Sequence, residues 1–163
     1  TPYVLGGMAY AKGLGAVVIG LSCTRNARIA AQARVMIAPL PGPEVITGST
    51  RLKSGTAQKM VLNILSTGVM VRLGKVYSNL MVDLKPTNSK LRRRAVRIVG
   101  EVADLDAIHA EQLLAAANWD VKTAVVMALT GTSVTVARAR LDVARGHVRH
   151  ALDDDRQAAQ NPI

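Results

Sequence analysis

The chain is expected to adopt an α/β fold, with helices packed on a parallel sheet and a small all-helical part at the C-terminal end. Three observations predict this. Apolar residues make up 49% of the 163 residues, yet only Tyr3, Tyr10, Tyr77 and Trp119 are aromatic, so the core must be built from Val, Leu, Ile, Met and Ala. Short, nearly continuous apolar runs alternate with segments of helical spacing, the pattern of strands buried on both faces between helices. The charge balance also changes near residue 100. Residues 1–100 carry 15 Lys/Arg against Glu44 and Asp83 alone, a net +13, while residues 101–163 carry six against nine acids, a net −3. Such a shift marks a boundary. The expected organisation is a sheet-containing domain over 1–103, a helical bundle over 104–152 and a disordered tail over 153–163.

Each element has a local reason. Pro2 suits a first helical turn, residues 3–12 follow with helical spacing, and Gly13 and Gly15 stop the helix. Residues 16–22 read as a buried parallel strand, 27–33 as a short helix and 35–38 as a second strand. Residues 39–50 hold three Pro and two further Gly in a turn-rich loop. Residues 51–73 form a long helix, apolar almost all round after Met60, which implies burial in a core or against a second copy. Residues 76–87 read as an extended connector, and 88–103 as a basic helix. The tail gives helices over 108–117, 121–129 and 134–144, with Asp120 and Ser133 as N-caps.

Several functional classes are disfavoured. Cys23 is the single cysteine, so no internal disulfide can form, and a reducing, cytoplasmic setting is expected. No apolar run reaches the roughly 18 residues of a membrane span. Thr1 is not an initiator methionine and opens directly into a helix, so upstream sequence is expected. The basic excess suits an anionic partner, or acids elsewhere that balance it.

The sharpest chemical signal is residues 42–59, Gly42-Pro43-Glu44-Val45-Ile46-Thr47-Gly48-Ser49-Thr50-Arg51-Leu52-Lys53-Ser54-Gly55-Thr56-Ala57-Gln58-Lys59. Hydroxyls, glycines and cations gather where a loop enters a helix, and the free N–H groups and dipole at such an entry favour anions. Arg51 can fork onto a phosphate or carboxylate, and Lys53 adds a point charge. A well-capped helix with solvated cations satisfies the same residues. Glu44 could accept bonds from sugar hydroxyls or move a proton, or could simply neutralise Arg51 or Lys53.

This run resembles the signature shared by N-acetylmuramic acid 6-phosphate etherases and glucokinase regulatory proteins. Leu62-Asn63-Ile64-Leu65-Ser66-Thr67-Gly68, Arg72-Leu73-Gly74-Lys75-Val76-Tyr77, Asn79-Leu80-Met81-Val82-Asp83 and Thr87-Asn88 resemble the etherases specifically. So do Lys122-Thr123-Ala124-Val125-Val126-Met127 and the stretch from Gly146-His147 to Leu152. Thr1-Pro2-Tyr3-Val4 is similar to the end of their Ser-Gly-Arg-Thr-Pro phosphate loop. The likeness covers nearly the whole chain.

The resemblance implies a sugar isomerase (SIS) fold, a doubly wound parallel sheet flanked by helices, followed by a small helical subdomain. It implies a lyase that splits the D-lactyl ether of N-acetylmuramic acid 6-phosphate into N-acetylglucosamine 6-phosphate and D-lactate, in cell-wall amino-sugar recycling. No metal or cofactor is implied. The catalytic base and acid are upstream glutamates, so no catalytic residue is expected here beyond an auxiliary role for Glu44. The implied substrate-binding set is Thr1, Glu44, Ser49, Thr50, Arg51 and Lys53. The implied partners are the amino-sugar phosphate and a second copy of the chain, without nucleic acid or membrane. A non-catalytic sugar-phosphate-binding regulator is the alternative. Cys23-Thr24-Arg25-Asn26 departs from the etherases' common Cys-Asn-Pro, and the Arg92-Arg93-Arg94 run is heavier than theirs.

Weaker signals read blandly. The cations of 90–97 lack interleaved aromatics for base stacking and suit a solvated face. His147 and His150 share a helical face without a ligand-spaced third group. His109 suits the surface, Cys23 a core position, and Trp119 an anchor for the tail's core.

Overall fold

The computed structural model describes residues 1–153. It is a mixed α/β molecule that divides into two compact units, Thr1–Ser66 and a second from Thr67 onward. The expected tail falls outside the described residues, apart from Asp153 at the end of a helical stretch over 148–153.

In the first unit α1 (Pro2–Gly13) leads to β1 (Ile19–Leu21), a 3-10 turn (Arg28–Gln32) and β2 (Val35–Ile37). The strands are parallel, with Ile19 opposite Val35 and Leu21 opposite Ile37. Gly20 sits where the crossover presses on the sheet. A Cβ there would lie 2.7 Å from Met36 Sδ and 3.1 Å from Ala33 Cβ, so a side chain would require the Met36 side chain and the crossover at Ala33 to shift. The strand expected over 16–22 is only three residues long, with Ile19 exposed and Gly20 buried. Its flanks lack a partner strand to extend the ladder, since the described sheet has two strands. α2 (Lys53–Arg72) then begins, and the division between the units falls within it. None of its residues is buried, contrary to the burial that its apolar composition implies.

The second unit holds the core. The segment expected as an extended connector is a hairpin instead, β3 (Val76–Tyr77) against β4 (Leu80–Met81). Ser78 supplies the positive φ of its tight turn, a position where serine gives little sequence warning. Four helices follow: α3 (Ser89–Ala103), α4 (Ala107–Ala116), α5 (Val121–Thr130) and α6 (Val134–Val143). Each is capped by its own sequence. Asn88, Asp106, Asp120 and Ser133 accept from the N–H three residues on, at 2.9, 2.8, 2.7 and 3.4 Å. The charge step near residue 100 lies inside α3, which packs against α4 and α5 and so stands with the helical tail.

The centre is α5, where Val121 and Thr123 through Met127 are all buried. Ala95, Ile98 and Val99 of α3, Leu114 of α4, Ala137 and Leu141 of α6, and Val148 close around it. Trp119 lies at the edge of this core at φ 60°, with the Arg92 guanidinium 4.7 Å above its ring. No single helix among the described residues is long and apolar enough to cross a membrane.

Leu114 is fully buried. Leu114→Ala should destabilise the second unit by about 2–5 kcal/mol, the cost of a core leucine and its cavity. Urea unfolding followed by circular dichroism measures it, and a loss below about 1 kcal/mol would mean that this core relaxes around the gap.

Candidate functional site

The candidate site is the loop before α2, and its structure follows from Glu44. The carboxylate reaches back across the turn-rich loop to the start of the helix. The Lys53 N–H donates to Oε2 and the Ser54 N–H to Oε1, both at 3.0 Å. A helix leaves its first four N–H groups without intrahelical partners. Here the next two are also satisfied: Gly55 N–H donates to Thr50 O at 2.9 Å and Thr56 N–H to Leu52 O at 3.0 Å. Cys23 Sγ, half-buried after β1, donates to Ser54 O at 3.7 Å and holds the helix start against the sheet.

The free amides that a loop-to-helix entry suggests for anion binding are therefore occupied by the protein's own carboxylate. Those bonds, from Ser54 first and Lys53 second, hold the Glu44 carboxyl below its ordinary value. A carboxylate so held is ionised at neutral pH and accepts bonds. It is poorly suited to donate a proton.

The other predicted residues lie along the same loop. Ser49 is half-buried and its N–H closes a turn onto Ile46 O at 3.1 Å. Gly48, at φ 88°, supplies the left-handed residue of that turn. Thr50, Arg51 and Lys53 are exposed. Neither Arg51 nor Lys53 forms an ion pair within 4.0 Å among the described residues. Thr1 stands apart as the N-cap of α1, with its carbonyl accepting from Leu5 N–H at 3.2 Å and no side-chain cap bond. The structure thus joins Glu44 to the backbone of Lys53 and Ser54 and leaves two cations and the Thr50 hydroxyl outward on one short segment, with Thr1 bonded only within α1 among the described residues.

A second polar cluster escaped the sequence reading. Lys75 Nζ lies 2.7 Å from Asp83, and Lys122 Nζ lies 3.8 Å from the same carboxylate while donating to Gly146 O at 3.1 Å. The Lys75 contact, then burial working against it, set the balance that lowers the Asp83 carboxyl. These bonds tie the β3–β4 hairpin to α5 and to the chain after α6. Gly74, at φ 69°, makes room for that chain, since a Cβ would meet Gly146 O at 2.9 Å. His147 and His150 stack with centroids 5.1 Å apart, and no group of three metal-binding side chains occurs among the described residues. His109 is exposed and bonded to its own N-cap, Asp106.

The comparison with known proteins gives this loop a context. Over 153 residues, 94% of this chain, the sequence is 52% identical to proteins from Salmonella paratyphi B, Salmonella agona and Salmonella enteritidis PT4. These relatives are N-acetylmuramic acid 6-phosphate etherases. The chain spans about half the length of the curated etherases it matches, since the alignment covers 52% of each. No protein-family model matches the chain.

The Glu44 clamp has a pH signature. Its folded pKa is depressed, so its stabilisation of the α2 start is present above about pH 4.5 and is lost as pH falls through the lower folded value. Amide exchange at Lys53 and Ser54 should show protection at pH 6 that Glu44→Gln weakens and Glu44→Ala abolishes, with the core amides of α5 unchanged. Equal protection in the wild type and Glu44→Ala would show that the helix start needs no cap.

Proposed function

We propose that this chain is the C-terminal part of a carbon–oxygen lyase that cleaves the D-lactyl ether of N-acetylmuramic acid 6-phosphate. The products are N-acetylglucosamine 6-phosphate and D-lactate, in cytoplasmic recycling of cell-wall amino sugars. The supporting observation is the 52% identity to etherases across 94% of the chain. In this reading residues 1–103 contribute to a SIS-type sheet domain, and the exposed apolar residues of α2, Met60, Leu62, Ile64 and Leu65, are covered in a homodimer of the complete protein. Thr1, Ser49, Thr50, Arg51 and Lys53 bind the sugar phosphate, with Glu44 shaping the loop that carries them.

Elimination beside a carbonyl needs a base for the carbon-bound proton and an acid for the leaving oxygen. The Glu44 carboxylate is engaged by two amides and Asp83 by two lysines. Each lies in a setting that stabilises the anion. Neither is suited to act as the acid, so in this reading that group comes from outside this chain, and the engaged carboxylates leave the base to be supplied from there as well.

The chain alone should therefore release no D-lactate from N-acetylmuramic acid 6-phosphate. Mixing it with the remaining half of an etherase relative should restore release, and light scattering should find the active species to contain two copies of each piece. Lactate release by the chain alone would overturn the division of the site. Failure of a correctly assembled mixture to release lactate would overturn the etherase reading.

Arg51→Ala in the complete protein should weaken binding of N-acetylglucosamine 6-phosphate by about 1.5–3 kcal/mol, the size of a hydrogen bond to a charged group. Calorimetry measures this directly. Unchanged affinity would remove Arg51 from the binding set.

A further inference from the structure

We infer that the groove between α3 and α4 binds a short peptide that is anionic at one end and cationic at the other. The groove has a volume of about 720 Å³, the size of a small-ligand site. Arg92, Arg93 and Arg97 line it from α3, with Glu101 two turns beyond Arg93 on the same helix. Glu111 adds a second carboxylate from α4. Val96, Leu105 and Trp119 give it an apolar lining between the charges.

The charges are left open. Arg97 and Glu101 stand at the i,i+4 spacing at which helical ion pairs form. Yet no ion pair within 4.0 Å involves Arg92, Arg93, Arg97, Glu101 or Glu111 among the described residues. Only Arg92 has a fixed partner, the face of Trp119. Arg93 and Arg97 also repel each other one turn apart, an arrangement that an anion between them relieves.

Both signs in one groove select the ligand. A polyanion would meet Glu101 and Glu111 as well as the arginines, and the Trp119 face that could stack a base is covered by Arg92. A ligand with separated charges meets both sets. Arg93 and Glu101 are eight residues apart, about 12 Å along the helix. Extended peptide rises about 3.3 Å per residue, so three to four residues span that distance.

Trp119 is the only tryptophan, so its emission reports on this groove. The test titrates the chain with the tetrapeptide Lys-Leu-Ala-Glu, free at both termini, which carries two positive charges at one end and two negative at the other. Glu-Leu-Ala-Lys has the same composition, but its charges cancel at each end. Lys-Leu-Ala-Glu should give a saturable Trp119 change below about 10 mM and bind about fivefold more tightly than Glu-Leu-Ala-Lys.

The exposed substitutions Arg97→Gln and Glu101→Gln should each weaken it about two- to fivefold with unchanged circular dichroism. No saturable change, or equal binding of the two peptides, would overturn the proposal. So would a single-stranded oligonucleotide that binds more tightly than the peptide and is insensitive to Glu101→Gln, which would assign the arginines to a polyanion.

Discussion

Burial of α5 is the constraint on which the second unit depends. Six of its ten residues are buried, so the helix has almost no face that water can solvate. Such a helix is stable only when other apolar surface surrounds it. α3, α4 and α6 each present small or branched residues to it, and the connections between them are correspondingly tight. Asn118 and Trp119 both take positive φ to turn α4 into α5. Lys122, the one cation of α5, is carried out of the core to Asp83 and the Gly146 carbonyl, and so pins the hairpin and the chain after α6 to the central helix. Polar geometry here is set by where the core leaves room for it.

α2 poses the same problem and has no such solution among the described residues. It too is apolar nearly all round after Met60, yet Met60, Leu62 and Ile64 are 55%, 58% and 67% exposed. Each apolar side chain left in water forgoes about 1.5–3 kcal/mol of burial. Two helices with long apolar stretches therefore have opposite surroundings, because burial belongs to a pair of complementary surfaces and not to one helix. The short β1–β2 pair shows the same thing: its apolar residues Ile19 and Val35 remain half-exposed.

These contrasts explain what could be read from the sequence. Spacing located α1 and α3 to α6, and Asp120 and Ser133 marked two of the starts because a cap acts through a bond only three residues long. The parallel strands were legible from Val, Ile and Gly runs, although their length depends on partner strands that no local pattern specifies. The β3–β4 hairpin was missed because Ser78 turns the chain where Gly or Asn is the usual signal. At the site, the loop and its cations were legible. The bond from Glu44 to residues nine and ten positions later was not, since the loop between them sets the distance. The Lys75–Asp83–Lys122 cluster is longer-range still.

The Glu44 clamp changes how the loop can meet an anion. A helix start with free amides offers a phosphate several directed donors and the positive end of the dipole. In this chain the amides of Lys53, Ser54, Gly55 and Thr56 all have partners, and a carboxylate already occupies the favourable end of the dipole. A phosphate seated there would meet like charge. What the segment still offers lies on side chains: the Arg51 fork, the Lys53 ammonium and the hydroxyls of Ser49 and Thr50. Recognition by exposed cations is more sensitive to salt than recognition by buried amides, because the solvent screens it. Glu44 holds the loop to the helix start through the amides of Lys53 and Ser54, and the Arg51 and Lys53 side chains stay exposed.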